Sequence, residues 1–191
     1  MVAALPRRLL AALLAASAPL SGARALDAVP EETGAPAPGE YQVKAAFLYH
    51  FAQLVDWPDL PGAGQPFEIG VLGDDVFGPA LEAALEGKTI HDRAVRVRRY
   101  TAVPETAHLP PLLFISFEDP RDAERTLRAL GQAPVLTVGE ARGFAERGGM
   151  IGFRLTSEGR VAFDINLRRA ERSGLRLSSQ LLKLARIVDG P

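Results

Sequence analysis

From Glu40 to Pro58 the apolar residues recur at steps of three or four, but on two stripes instead of one. Val43, Phe47, Phe51 and Leu54 make the first, and Tyr41, Ala45, Leu48, Ala52 and Val55 the second. The pattern predicts a helix that needs cover on more than one side. Pro58 lacks an amide hydrogen and pushes Trp57 out of helical torsions, which predicts the helix end there. Such a helix is either sandwiched inside its domain or lends one stripe to a partner.

Beyond it the period changes. The segment 61–66 reads as loop, Phe67 to Leu72 as strand, Gly73-Asp74-Asp75 as turn, and about Phe77 to Leu85 as a short helix. Val95 to Tyr100 alternates valine with arginine, as a strand with one wet face does. Leu112 to Ser116 is an unbroken apolar run suited to a central strand. Asp119 or Pro120 opens a helix with Ala123, Leu127 and Leu130 on one face, and Gly131 closes it. Pro134 to Val138 is another buried strand, and 143–149 a short helix or turn. Met150 to Leu155 and Arg160 to Ile165 flank Thr156-Ser157-Glu158-Gly159 as a hairpin, and a last helix runs from about Ser178 to Val188. The alternation predicts an α/β fold: a single domain with a largely parallel sheet flanked by helices and a C-terminal edge hairpin.

The ends carry different signals. Arg7 and Arg8, the apolar run Leu9 to Leu20, and Ala23-Arg24-Ala25 follow the order of an export signal, so residues 1–25 are expected to be removed and the mature chain to be periplasmic. The apolar run is too short for a comfortable membrane span of about 20 residues. Residues 26–39, with Pro30, Gly34, Pro36 and Pro38, read as a disordered linker, leaving 40–188 as the domain. Losing Arg7, Arg8 and Arg24 takes the formal charge from −1 to −4, which argues against nucleic acid as a partner. The chain has no cysteine, so disulfides, a thiol nucleophile and Cys-ligated metal are excluded and packing alone stabilises the fold.

Catalytic motifs fail on their own requirements. Glu86-Gly87-Lys88-Thr89 ends like a P-loop, but Ala83 stands where the earlier glycine is needed, and Gly62-Ala63-Gly64 precedes a strand instead of following one. Ser178-Ser179 lies too far from Lys183 for an S-x-x-K pair, and Ser178 suits a helix cap. His50, His91 and His108 stand apart from carboxylates at ligand spacing. Asp74 and Asp75 fall at the carboxyl end of the first strand. They either face a ligand crevice shared with Ser116 and Gly139 or only form a turn. Neither an enzyme nor a cofactor is expected.

Glu40-Tyr41-Gln42-Val43-Lys44-Ala45-Ala46-Phe47-Leu48-Tyr49 with Trp57-Pro58, Val71-Leu72-Gly73-Asp74-Asp75, Leu113-Phe114-Ile115-Ser116 and Pro134-Val135-Leu136-Thr137-Val138 form an ordered set. Gly148-Gly149-Met150-Ile151, Val161-Ala162-Phe163-Asp164-Ile165-Asn166-Leu167 and the run from Gly174 to Ala185 complete it. Together they resemble the YfiR-like periplasmic regulators. The resemblance implies a non-enzymatic repressor, expected as a homodimer, that binds the periplasmic sensor part of an inner-membrane diguanylate cyclase and keeps cyclic-di-GMP synthesis low. An outer-membrane lipoprotein that sequesters the repressor is also implied. Two positions depart from the pattern: Gly70 and Pro110 stand where family members often carry cysteines. Candidate partner contacts are Ile151 and Leu167 as apolar anchors, with Asp164 and Asn166 as polar contacts. In the alternative, the hairpin is covered with both of its apolar sets buried, Ile151 included, Asp164 is a local cap and Leu167 belongs to the core. The rival reading of the chain is a periplasmic small-molecule binding protein using the crevice near Gly73 to Asp75.

Overall fold

The computed structural model describes residues 39–191 except 61, 63, 106 and 107. The export signal expected over 1–25 lies outside them, as does the linker up to residue 38. Helix α1 (Glu40–Gln53) stops short of Trp57. Leu54 leaves helical torsions, and β1 (Val55–Asp56) pairs with a distant two-residue strand, Val55 opposite Leu177. Nε2 of His91 lies 3.1 Å from the carbonyl oxygens of both Ala52 and Val55, occupying groups the ended helix leaves open. Strand pairing and this histidine end the helix before Pro58 is reached.

The chain then builds one large sheet. Strand β2 (Phe67–Gly73) leads through α2 (Ala80–Leu85) and β3 (Thr89–Ile90) into β4 (Arg93–Tyr100). Next come β5 (Leu112–Ser116), α3 (Pro120–Leu130), β6 (Leu136–Gly139) and the hairpin of β7 (Ile151–Leu155) and β8 (Val161–Ile165). The end of the chain adds α4 (Leu167–Arg172), β9 (Arg176–Leu177), α5 (Ser179–Leu184) and β10 (Arg186–Ile187). Strand order is β10-β8-β7-β6-β5-β2-β4-β3. The run from β7 through β4 is parallel, and β8 reverses against β7. The hairpin therefore sits near one end of the sheet as expected, with β10 added outside β8.

Both faces are covered. On one, Leu48, Phe51 and Ala52 of α1 and Leu81 and Leu85 of α2 pack on Ile69, Val71, Phe114, Val138, Phe153 and Phe163. On the other, Ala123, Leu127 and Leu130 of α3 join Phe144 against Leu72, Leu113 and Ile115. Each large apolar side chain so buried contributes about 1.5–3 kcal/mol. All of β5 is buried because it meets both layers. Helix α3 begins and ends as its sequence predicts: Asp119 accepts from the Arg121 amide at 2.8 Å, and Gly131 at φ 54° terminates it.

The last predicted helix is shorter than its pattern. It ends at Leu184, Ala185 turns extended, and Arg186 and Ile187 pair with Asp164 and Ile165 of β8. Ser178 caps α5, accepting from the Leu181 amide. Among the described residues no helix is long and apolar enough to cross a membrane.

Candidate functional site: the charged face of the hairpin

Alternation along β7 and β8 sorts the four expected contact residues. Ile151 lies opposite Ile165 and Phe153 opposite Phe163, so these four share the face covered by α1. Ile151 is fully buried, which corrects its expected place as a surface anchor: α1 supplies the cover that the strand alone does not reveal. Asn166 is fully buried as well. Its Oδ1 accepts from the Arg169 amide at 3.0 Å, capping α4, and its Nδ2 donates to the Ala145 carbonyl at 3.1 Å. The cap is thus Asn166, not Asp164, and its amide is used internally. Leu167 is half-buried against the main core.

Asp164 is different. It lies opposite Gly152 on the other face of the hairpin, where β10 brings Arg186 alongside it. Arg154 Nε and Arg186 Nε both donate to Asp164 Oδ1 at 2.9 Å, and Arg186 Nη2 reaches Glu146 Oε1 at 3.1 Å. Burial of the Asp164 carboxyl pushes its pKa up, but hydrogen bonds from Arg186 and then Arg154 outweigh this and hold it below the ordinary carboxylate value. Asp164 is 5 % exposed, whereas the arginine side chains keep 38 % and 56 % of their surface in water. The carboxylate is a fixed post, and the guanidinium groups present free donors to solvent.

These groups line a groove of about 490 Å³ together with Glu140, Arg142, Glu146 and Leu155. Leu155, at the end of β7, is 52 % exposed. The groove's wall is set by Phe144. A Cβ built on Gly149 would fall 2.1 Å from its ring and one on Gly139 2.5 Å from it, so only glycine lets the ring settle between them. Three arginines oppose three carboxylates here, an arrangement suited to a polar contact surface and not to proton transfer. Sequence spacing missed Arg154 and Arg186 because they meet Asp164 only through strand register. Arg186 lay inside what read as helix.

Directly beside Gly73 the backbone is closely packed. The order of strand addition reverses between β2 and β5, where open α/β sheets place ligands. The space beside Gly73 holds the Ser116 carbonyl and the Phe117 ring, and Asp75 accepts from the Gly78 amide and from Arg99. At the carboxyl end of β6, Lys44 of α1 is 5 % exposed, its Nζ 2.5 Å from both Glu40 Oε1 and Glu140 Oε2. The Tyr41 hydroxyl donates to Glu140 at 3.1 Å. Burial first, and the Glu140 charge second, raise the pKa of that phenol, so it stays protonated.

Gly70 and Pro110 lie against each other: a Cβ on Gly70 would fall 2.8 Å from Pro110 Cγ. These two positions, distant in sequence, are therefore packed neighbours.

A family model described as YfiR/HmsC-like matches residues 41–186, almost the whole described domain. Among solved structures, a conserved domain protein from Vibrio cholerae superposes with TM-score 0.52 at 14 % identity, over 77 % of this chain and 59 % of that one. The ABC domain in complex with L-Trp from Streptococcus pneumonia gives 0.51 at 12 %, over 78 % and 60 %. At such identities the likeness is one of fold alone, and the chain spans about three fifths of the length of each.

Proposed function

The chain belongs to the YfiR/HmsC-like family, and from that premise we propose that it is a periplasmic negative regulator that binds the sensor part of an inner-membrane diguanylate cyclase and holds cyclic-di-GMP synthesis low. The observation that carries the reading is the family match over residues 41–186. The groove around Asp164 is the proposed contact surface, with Arg154 and Arg186 as donors and Leu155 as apolar anchor. An interface of about 800 Å² per partner needs few such anchors for sub-micromolar binding. An outer-membrane lipoprotein that competes for the same regulator, and a homodimeric state, belong to the same proposal.

The test combines genetics with binding. A strain lacking the protein should hold more cyclic-di-GMP and form more biofilm, and the purified protein should bind the cyclase's periplasmic domain. Unchanged cyclic-di-GMP on deletion, with no binding, would overturn the proposal.

A further inference from the structure

A second cleft, of about 500 Å³, opens between the carboxyl end of α3, the turn at Gly148 and α4. It shares no lining residue with the Asp164 groove, although Arg147 of the cleft directly follows Glu146 of the groove, and its charge is not balanced. Arg128, Arg147 and Arg169 line it against the Glu124 side chain and the terminal carboxylate of Pro191, three cationic groups to two anionic ones. Glu124 is already shared: Arg147 Nη1 lies 2.6 Å from its Oε1, and Arg128 Nη1 lies 3.9 Å from its Oε2. The Arg169 guanidinium donates only to the neutral carbonyl of Gly131 and makes no ion pair among the described residues. Burial, and then the neighbouring Arg172, oppose its charge and lower its pKa. A guanidinium in that position gains from any anion placed against it. The cleft also has an apolar side, formed by Leu127 and Pro191.

We propose that this cleft binds a small organic anion, with its carboxylate or phosphate on Arg169 and Arg128 and its apolar body against Leu127 and Pro191. The site shares no lining residue with the proposed cyclase contact, and its occupancy would add a chemical input to a protein otherwise read as a partner-binding module.

The experiment is calorimetric titration of the purified exported protein with phenylacetate, its neutral amide phenylacetamide, and inorganic phosphate. A ligand of this size with one charged group is expected to bind with a dissociation constant on the order of 0.1–1 mM. The amide and the bare phosphate should each bind about tenfold more weakly, and the phenylacetate affinity should fall with added salt. Arg169→Gln and Arg128→Gln should each cost about tenfold, while Arg96→Gln on β4 should cost nothing. Arg128 is 69 % exposed at its side chain, so that variant keeps the test valid should Arg169→Gln fail to fold. Absence of phenylacetate binding at 10-fold above that range, equal affinity for the amide, or affinity unchanged in Arg128→Gln would overturn the proposal. Phosphate binding as tightly as phenylacetate would overturn the apolar half of it.

Discussion

The two faces of the β7–β8 hairpin come from the same two strands read at alternate positions, and their physics is opposite. On the α1 side, Phe47 and Phe51 meet Phe153 and Phe163 with ring centroids 4.8–6.1 Å apart, an aromatic cluster with the Lys44 ammonium at its edge, 5.9 Å from the Phe153 ring centroid. On the other side, Asp164 is tied to two arginines in a wet groove. The dry face makes the hairpin part of the domain, whereas the charged face contributes less to stability and has exposed donors left over for a partner. Substitutions one residue apart should therefore have effects of different kind, not merely of different size.

The largest effect is expected from Ile151→Lys. An ammonium group among Phe153, Ile165 and α1 would have no partner, and the cost exceeds about 4 kcal/mol, enough to unfold a marginal domain. Urea unfolding followed by circular dichroism should show little or no folded population. A well-folded variant would mean that the α1 cover opens readily. Phe153→Ala comes next, at about 3–5 kcal/mol, because the cavity it leaves is walled by rings that cannot all collapse.

Across the sheet, Asp164→Asn should cost about 1–3 kcal/mol, since it weakens the hydrogen bonds that fix Arg154 and Arg186. The pH dependence has a definite sign. The folded-state pKa of Asp164 is depressed, so its stabilisation is fully present above the unfolded value of about 3.9 and is lost as the pH falls through the lower folded value. The stability gap between wild type and Asp164→Asn should thus be constant near neutrality and close below about pH 4. A gap that persisted in acid would mean that the side chain acts by shape and not by charge.

The difference between the faces also explains which parts of the molecule could be read in the sequence. Strand β5 and helix α3 are legible because each declares itself locally, the one by an unbroken apolar run and the other by Asp119-Pro120 and Gly131. Strands β1, β3, β9 and β10 are two residues long and exist only through partners far along the chain, so no periodicity marks them. The same holds for the site. Asp164 was picked out from the sequence, but its partners Arg154 and Arg186 come from register with β7 and β10. Ile151 looked spare because the alternation of an apolar strand does not say whether both faces are covered. The cover on its face is α1, and that on the other is the turn carrying Phe144, which reads locally only as a glycine-rich connection.

The smallest effect on stability should come from Leu155→Asp, and it tests how far the dry face reaches along β7. Leu155 closes β7 with about half its surface in water, beyond the point where Phe153 and Phe163 seal the aromatic cluster. Replacing it removes little buried area, so the unfolding midpoint should shift by no more than about 0.5 kcal/mol equivalent. In the proposed interface the same side chain is an apolar anchor at the rim of the groove, at the end of β7. Affinity for the cyclase's periplasmic domain should fall roughly tenfold or more, mainly through faster dissociation. Binding kinetics on an immobilised partner, run beside urea unfolding of the same preparation, reads both quantities. Unchanged affinity would move the contact surface away from this groove while leaving the regulatory proposal to its genetic test; a large loss of stability would instead show that the dry face extends to the end of the strand.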